Sequence, residues 1–156
     1  MNKYIFKKSH VNLINEAIES LKAFNASYEW LPEGSDWGAG GCRILAEALA
    51  LLISDENDCH IQAAYLSSKS GPNLFPVPQH VFVRCYLSSY EFIIDYNGVQ
   101  VRDKFIKNVT TDLFNQKPIL GVYEPRLCDQ HGIVANDNAV LSTFNYLKDY
   151  LLANRF

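Results

Sequence analysis

The chain holds four cysteines but no Cys-x-x-Cys pair, so it lacks the ligand spacing of a zinc site. No apolar run approaches the roughly 18 residues that a membrane-spanning helix needs. Its 14 Lys and Arg gather into no stripe and are outnumbered by 17 Asp and Glu. The net charge of −3 leaves no electrostatic footprint for nucleic acid. No leader of basic residues, apolar run and small-residue cleavage site opens the sequence. Internal repeats, low-complexity tracts and an interdomain linker are lacking too. These absences lead to the expectation of a reduced, cytoplasmic protein with no metal, no cofactor, no membrane association and no nucleic-acid partner. A protein injected into another cell would carry the same signature, and nothing here bears on oligomeric state.

What is present favours one packed domain spanning residues 1–156. The 156 residues are 48% hydrophobic and 13% aromatic, with nine Tyr and nine Phe. A domain of this size buries roughly two-thirds of its unfolded surface and needs no metal or disulfide staple. By number, the four cysteines allow two disulfides. Their settings read as thiols: Cys42 precedes a helical pattern, Cys85 lies inside an apolar strand pattern, and Cys59 and Cys128 lie near element ends.

Between Ser9 and Phe24, Val11, Ile14, Ala17, Ile18, Leu21 and Phe24 recur at three- and four-residue steps, predicting an amphipathic helix with Ser9 as its N-cap. Asn25 to Gly41 reads as a loop containing Trp30, Pro32, Gly34, Trp37 and the run Gly38-Ala39-Gly40-Gly41. Cys42 to Ile53 is rich in strong helix formers and apolar nearly all round, the pattern of a buried central helix, which polar Ser54 to Asp58 then ends. The period next changes to that of strands. His60 to Leu66 is one, Ser67 to Pro78 a loop, and His80–Leu87 with Tyr90–Tyr96 a hairpin around Ser88-Ser89. Asn97-Gly98 is a turn signal launching Val99-Gln100-Val101. Lys104 to Lys117 is ambiguous, Ile119 to Tyr123 a further strand, and Ala139 to Leu152 a closing helix capped by Asn136 or Asp137. The order predicts an α+β fold with an antiparallel sheet.

Three residues in this layout suit nucleophilic chemistry. A thiol becomes a nucleophile when it ionises, and a helix N-terminus favours the thiolate through its partial positive charge and free N–H groups. Cys42 sits at such a position, fed by a glycine run that lets a substrate backbone approach, and its N–H can help hold an oxyanion. If Ser88-Ser89 is a two-residue loop, Leu87 faces Tyr90, His80 faces Asn97, and Asp95 is the diagonal neighbour of His80 on the same side. Such diagonal pairs lie roughly 7–8 Å apart, within reach of an imidazole and a carboxylate. The same register gathers Val81, Val83, Cys85, Leu87, Tyr90, Phe92, Ile94 and Tyr96 on the other side, which should be core. Singly, each site residue has a plainer reading. Cys42 is then a small hydrophobe on an apolar helix, His80 a strand-end histidine, and Asp95 a turn residue before Asn97-Gly98. Together they suggest a cluster in which His80 takes the thiol proton and later gives one to the leaving group. Asp95 would fix the imidazole tautomer and stabilise its cation.

The stretch Gly41-Cys42-Arg43-Ile44-Leu45-Ala46-Glu47-Ala48-Leu49 resembles the transglutaminase-like core motif, in which Gly-x-Cys opens a buried helix. His80-Val81-Phe82-Val83 resembles that family's His-Ala-Trp-Val strand, and Phe92-Ile93-Ile94-Asp95 its strand ending in Asp. The spacings are similar to those of arylamine N-acetyltransferases, and the Gly-x-Cys and Asp-x-x-Gly patterns resemble those of small papain-like proteins of bacteria and phage. The resemblance covers about residues 37 to 98. It implies a papain-like core with the Cys42 helix packed on an antiparallel sheet among flanking helices. It also implies cysteine-dependent acyl transfer: peptide or amide hydrolysis, deamidation or transfer to an amine. Phe82 stands where the family has Trp, and Tyr96 follows the carboxylate in place of Pro. The extra domains of large transglutaminases and acetyltransferases are missing, as is a recognisable calcium loop.

Trp37, Gln79 and Gly41 are candidates for the cleft or the oxyanion site. Trp37 also reads as a plug under the glycine loop and Gln79 as surface polarity. The pairs Cys59-His60 and Cys128/His131 invite zinc, but adjacent residues on a strand point to opposite faces. Tyr123, Glu124 and Arg126 read as a surface strand end. Three functions follow: an enzyme acting on a peptide or protein substrate, a non-catalytic papain-like module that binds a protein partner, or a secreted or injected effector that uses the same triad on a host protein.

Overall fold

The structure, a computed structural model, describes residues 7–53, 58–67, 76–87, 90–113 and 115–154. Helix α1, Val11–Ala23, buries Ile14, Ala17, Ile18 and Leu21, the stripe that the three- and four-residue steps predict. Ser9 does not cap it. A 3-10 turn over Lys8–His10 precedes the helix, so the N-cap position falls to His10, whose side chain makes no cap hydrogen bond. Phe24 ends the helix in extended backbone, and its ring stacks on Tyr146 at 5.2 Å instead of entering the core.

Helix α2, Cys42–Leu52, is the buried central helix, and even Arg43 is enclosed in it. It packs on strand β2, Pro76–Leu87, and on the closing helix α5, Asp137–Ala153. Of the two candidate caps for α5, Asn136 is the one used: its Oδ1 accepts from the Ala139 N–H at 2.7 Å.

The sheet adds β1, His60–Ser67; β3, Tyr90–Asp95; β4, Gly98–Val101; and β5, Ile119–Val122. Its order is β4-β3-β2-β1-β5, with every recorded pairing antiparallel, so the fold is α+β around a five-stranded antiparallel sheet. Leu87 faces Tyr90 and Val83 faces Ile94, the register that a two-residue loop predicts. Ser88-Ser89 themselves lie outside the described residues, as do 54–57 and most of the expected Ser67–Pro78 loop.

Strand β2 starts four residues earlier than expected, at Pro76 and not His80. Between Ala64↔His80 and Tyr65↔Pro78 the register shifts, leaving Gln79 as the extra residue of a bulge. A bulge tolerates the missing N–H of Pro78. The ambiguous stretch becomes α3, Arg102–Asp112, and a short helix α4, Pro125–Gln130, starts on a proline suited to a first helical turn. Glu124 and Arg126 therefore belong to the start of α4 and not to a strand end.

The main core runs from Ile14 to Leu151 and includes Val81, Val83, Cys85 and Ile94 of the sheet. Tyr90, expected on that core face, is 63% exposed where β3 begins. The opposite face is not left to solvent. Phe105 and Val109 of α3 cover it and close a second cluster with Ala64, Phe82 and Ile93. His80, Asp95 and Gln100 on that side are buried. Among the described residues no helix is long and apolar enough to cross a membrane.

Candidate active site

The site begins with the loop ahead of α2. Asp36 ties that loop together: its Oδ1 accepts from the N–H groups of Gly38 and Ala39 at 2.8 and 2.6 Å. Its carbonyl accepts from Gly41 at 3.0 Å. Gly40 has φ +98°, and a Cβ there would fall 2.3 Å from Ser35 Oγ. A Cβ on Gly38 would come within 2.9 Å of the Tyr96 ring, so only glycine lets that ring close against the loop. The tightened loop delivers Cys42 as the first residue of α2, where the earliest N–H groups of a helix lack intrahelical partners.

His80 and Asp95 reach this point from the sheet. Strand β2 continues past the last β3 pairing, Val83↔Ile94, so His80 lies beyond that ladder and near the turn after Asp95. His80 Nε2 donates to Asp95 Oδ2 at 2.9 Å. The imidazole packs among Phe82, Tyr96 and Phe105, with ring centroids 6.2, 5.9 and 6.0 Å away. The imidazole also interacts with Cys42, and each shifts the other's pKa. Cys42, His80 and Asp95 are only 5%, 7% and 4% exposed.

This geometry sets the charge states. Burial opposes ionisation of the Cys42 thiol, but the hydrogen bond and charge of His80, with the N–H groups of Val81 and Arg43, together bring its pKa below the ordinary value. Burial likewise opposes a charged His80, yet its bonds to Asp95 and Cys42 raise it to about 9. A thiolate–imidazolium pair is the form that both shifts favour.

Two polar residues that the sequence reading overlooked complete the cluster. Gln100 Nε2 donates to Asp95 Oδ1 at 2.6 Å, and Gln100 Oε1 accepts from Asn108 Nδ2 at 3.1 Å. The Asn97 N–H also donates to Asp95 Oδ1, at 2.8 Å. Gln100 pairs with Ile93 and is thus diagonal to Asp95, the same cross-strand relation that links His80 to Asp95. Replacing Gln100 with alanine should cost about 1.5–3 kcal/mol in urea unfolding, the range for a hydrogen bond to a charged group. It should also raise the pH midpoint of Cys42 alkylation, because Asp95 loses one of the donors that hold it.

Arg43 is a further overlooked residue. Its Nη1 donates to Asp129 Oδ1 at 2.6 Å and to the Ile133 carbonyl at 3.0 Å, and its Nε donates to the Tyr123 hydroxyl. Tyr123 in turn donates to Glu47, and burial followed by that carboxylate pushes its pKa up. Tyr123 is therefore half-buried against the core, not the exposed strand end expected for it. A buried cation at the second residue of α2 thus ties the helix start to Ile133, which forms part of the cleft wall.

The cleft has a volume of about 470 Å³ and reaches Cys42, His80, Asp95 and Gln79. Of the three cleft candidates, only Gln79 lines it. Gly41 is buried at the N-cap with its N–H bound to Asp36. Trp37 is 1% exposed and points inward, its Nε1 donating to the buried Ser27 Oγ at 3.1 Å. It is the plug and not the cleft wall. Accordingly, Trp37→Phe should cost about 1–3 kcal/mol in thermal unfolding through the lost donor. It should leave the pH profile of Cys42 alkylation unmoved, and a shifted profile would return Trp37 to the site. Among the described residues no group of three or more His, Cys, Asp or Glu is arranged to hold a metal ion. Comparison of the chain with protein-family models, with curated proteins and with solved structures gives no match.

Proposed function

We propose that the chain is a cysteine-dependent acyl-transfer enzyme with a papain-like, transglutaminase-like core, acting on a peptide or protein amide. The observation that carries this reading is the alignment of Cys42 at a helix N-terminus, His80 and Asp95 at the base of a cleft. The Cys42 thiolate attacks the carbonyl carbon of the amide, and the oxygen gains the charge. The Cys42 N–H and the Gln79 side chain are the donors placed to receive it. His80 then gives its proton to the departing amine, leaving a thioester on Cys42. Water, or a second amine, attacks that thioester while His80 takes up the proton. Hydrolysis, deamidation and amine transfer differ only in the leaving group and in this last nucleophile. Asp36 and Asp112 stand at the cleft, which no described Lys or Arg lines, an arrangement that favours neutral or cationic substrates.

A second reading has one observation on its side. With Cys42 only 5% exposed, the cleft could serve a non-catalytic papain-like module that grips a protein partner. The test is to incubate the full chain with a mixed set of peptide amides and short peptide aldehydes, quench in acid and measure intact mass. Acyl and thiohemiacetal adducts mapping to Cys42, absent from Cys42→Ser, are the expected result. No adduct with either class, together with an unreactive thiol, would overturn the enzymatic reading and leave the binding module.

A further inference from the structure

Cys59 and Cys85 take no part in the cleft. Cys59 is the residue before β1, and His60 faces Arg84, so the next opposed position across the two strands matches Cys59 with Cys85. Their sulfurs lie 2.6 Å apart, with the Cys59 thiol donating to Cys85. No disulfide joins them. Cys85 is fully buried in the main core, whereas Cys59 is half-buried and packs against it from the margin.

Directly opposed positions of an antiparallel pair bring Cβ atoms to roughly 4.5–5.5 Å, close to the separation that a disulfide bridges. Little backbone movement is needed. From this juxtaposition we propose that Cys59 and Cys85 form a reversible oxidative modification site, whose co-reactant is a small-molecule disulfide.

The exchange runs in two steps. The Cys59 thiol, the more accessible of the two, loses its proton and attacks one sulfur of the small disulfide. A Cys59 mixed disulfide forms and one small thiolate leaves. Cys85 then loses its proton and attacks the Cys59 sulfur, expelling the second small thiolate and closing the Cys59–Cys85 bond. Two protein thiols are oxidised, one small disulfide is reduced to two thiols, and the released protons go to the leaving thiolates. The order follows from access. Contact with Cys59 and burial both push the Cys85 thiol up, which suits it to be the second, resolving sulfur. The bridge would staple the leading end of β1 to the strand that also carries His80.

The experiment equilibrates the full chain with oxidised glutathione at rising ratios to the reduced form, blocks free thiols with an alkylating agent, and maps peptides by mass spectrometry without reduction. The expected product is a linked Cys59–Cys85 peptide, lighter by two hydrogen atoms, that dithiothreitol dissolves and Cys59→Ser abolishes. Because Cys42 is the competing thiolate, the series is repeated on Cys42→Ser, where the same linkage should appear. Four alkylated cysteines at the most oxidising ratio would overturn the proposal. So would a link to Cys42 or Cys128, or a persistent glutathione adduct on Cys59 that Cys85 fails to displace.

Discussion

Replacing His80 with alanine should shift the alkylation of Cys42 from a profile centred below the ordinary thiol pKa to one centred above it. In the intact protein, burial pushes Cys42 up, and His80 with the N–H groups of Val81 and Arg43 outweighs it. Without His80 the largest opposing influence is gone and burial prevails. At neutral pH the alkylation rate should drop about tenfold or more, since the thiolate and not the thiol reacts. Going up in pH from the acid side, the intact protein gains reactivity as it passes the lowered Cys42 pKa. Above about 9, where His80 gives up its proton, the thiolate persists but the general acid is lost. Alkylation should therefore stay high there while acyl transfer falls, making the transfer profile bell-shaped. Rates of iodoacetamide labelling against pH, with the adduct located by mass spectrometry, measure the first claim. An unchanged midpoint in the His80 variant would show that the two residues are not paired.

Asp95→Ala should be among the most destabilising single changes in the chain. The carboxylate is 4% exposed and receives donors from His80, Asn97 and Gln100, at 2.9, 2.8 and 2.6 Å. Its removal strands a buried imidazole and a buried amide together. Breaking a buried charge pair by deleting one partner costs about 3–5 kcal/mol, which urea unfolding would register. Loss of the fold would also remove the thiol's reactivity, so Asp95→Asn separates the two effects. The amide keeps the volume and an acceptor oxygen but carries no charge to support a His80 cation. The asparagine variant should recover much of the stability while its Cys42 alkylation midpoint remains raised. Full stability with an unmoved midpoint in Asp95→Asn would mean that the charge of Asp95 does nothing for the pair.

The sequence by itself determined the features that depend on near neighbours. Strong helix formers after a glycine run specify α2 and put Cys42 at its start, because helix propensity and backbone freedom are local properties. The alternation around Ser88-Ser89 determines the β2–β3 register, because a slip of one residue would turn Val81, Val83 and Cys85 out of the core. From that register the meeting of His80 with Asp95 follows.

What the tertiary structure decided depends on residues distant in sequence. Nothing in Lys104–Lys117 announces that Phe105 and Val109 will cover the second face of the sheet, since so few apolar residues mark α3. Yet that cover is what dries His80 and Asp95 and sharpens their interaction. The inward turn of Trp37 follows from Ser27, and the enclosure of Arg43 from Tyr123, Glu47 and Asp129. Cys59 and Cys85 meet only because β1 pairs with β2, a partnership that local patterning does not assign. Local patterning chooses each element and the face it presents, whereas burial is a property of what finally lies against that face, and only the assembled chain supplies that.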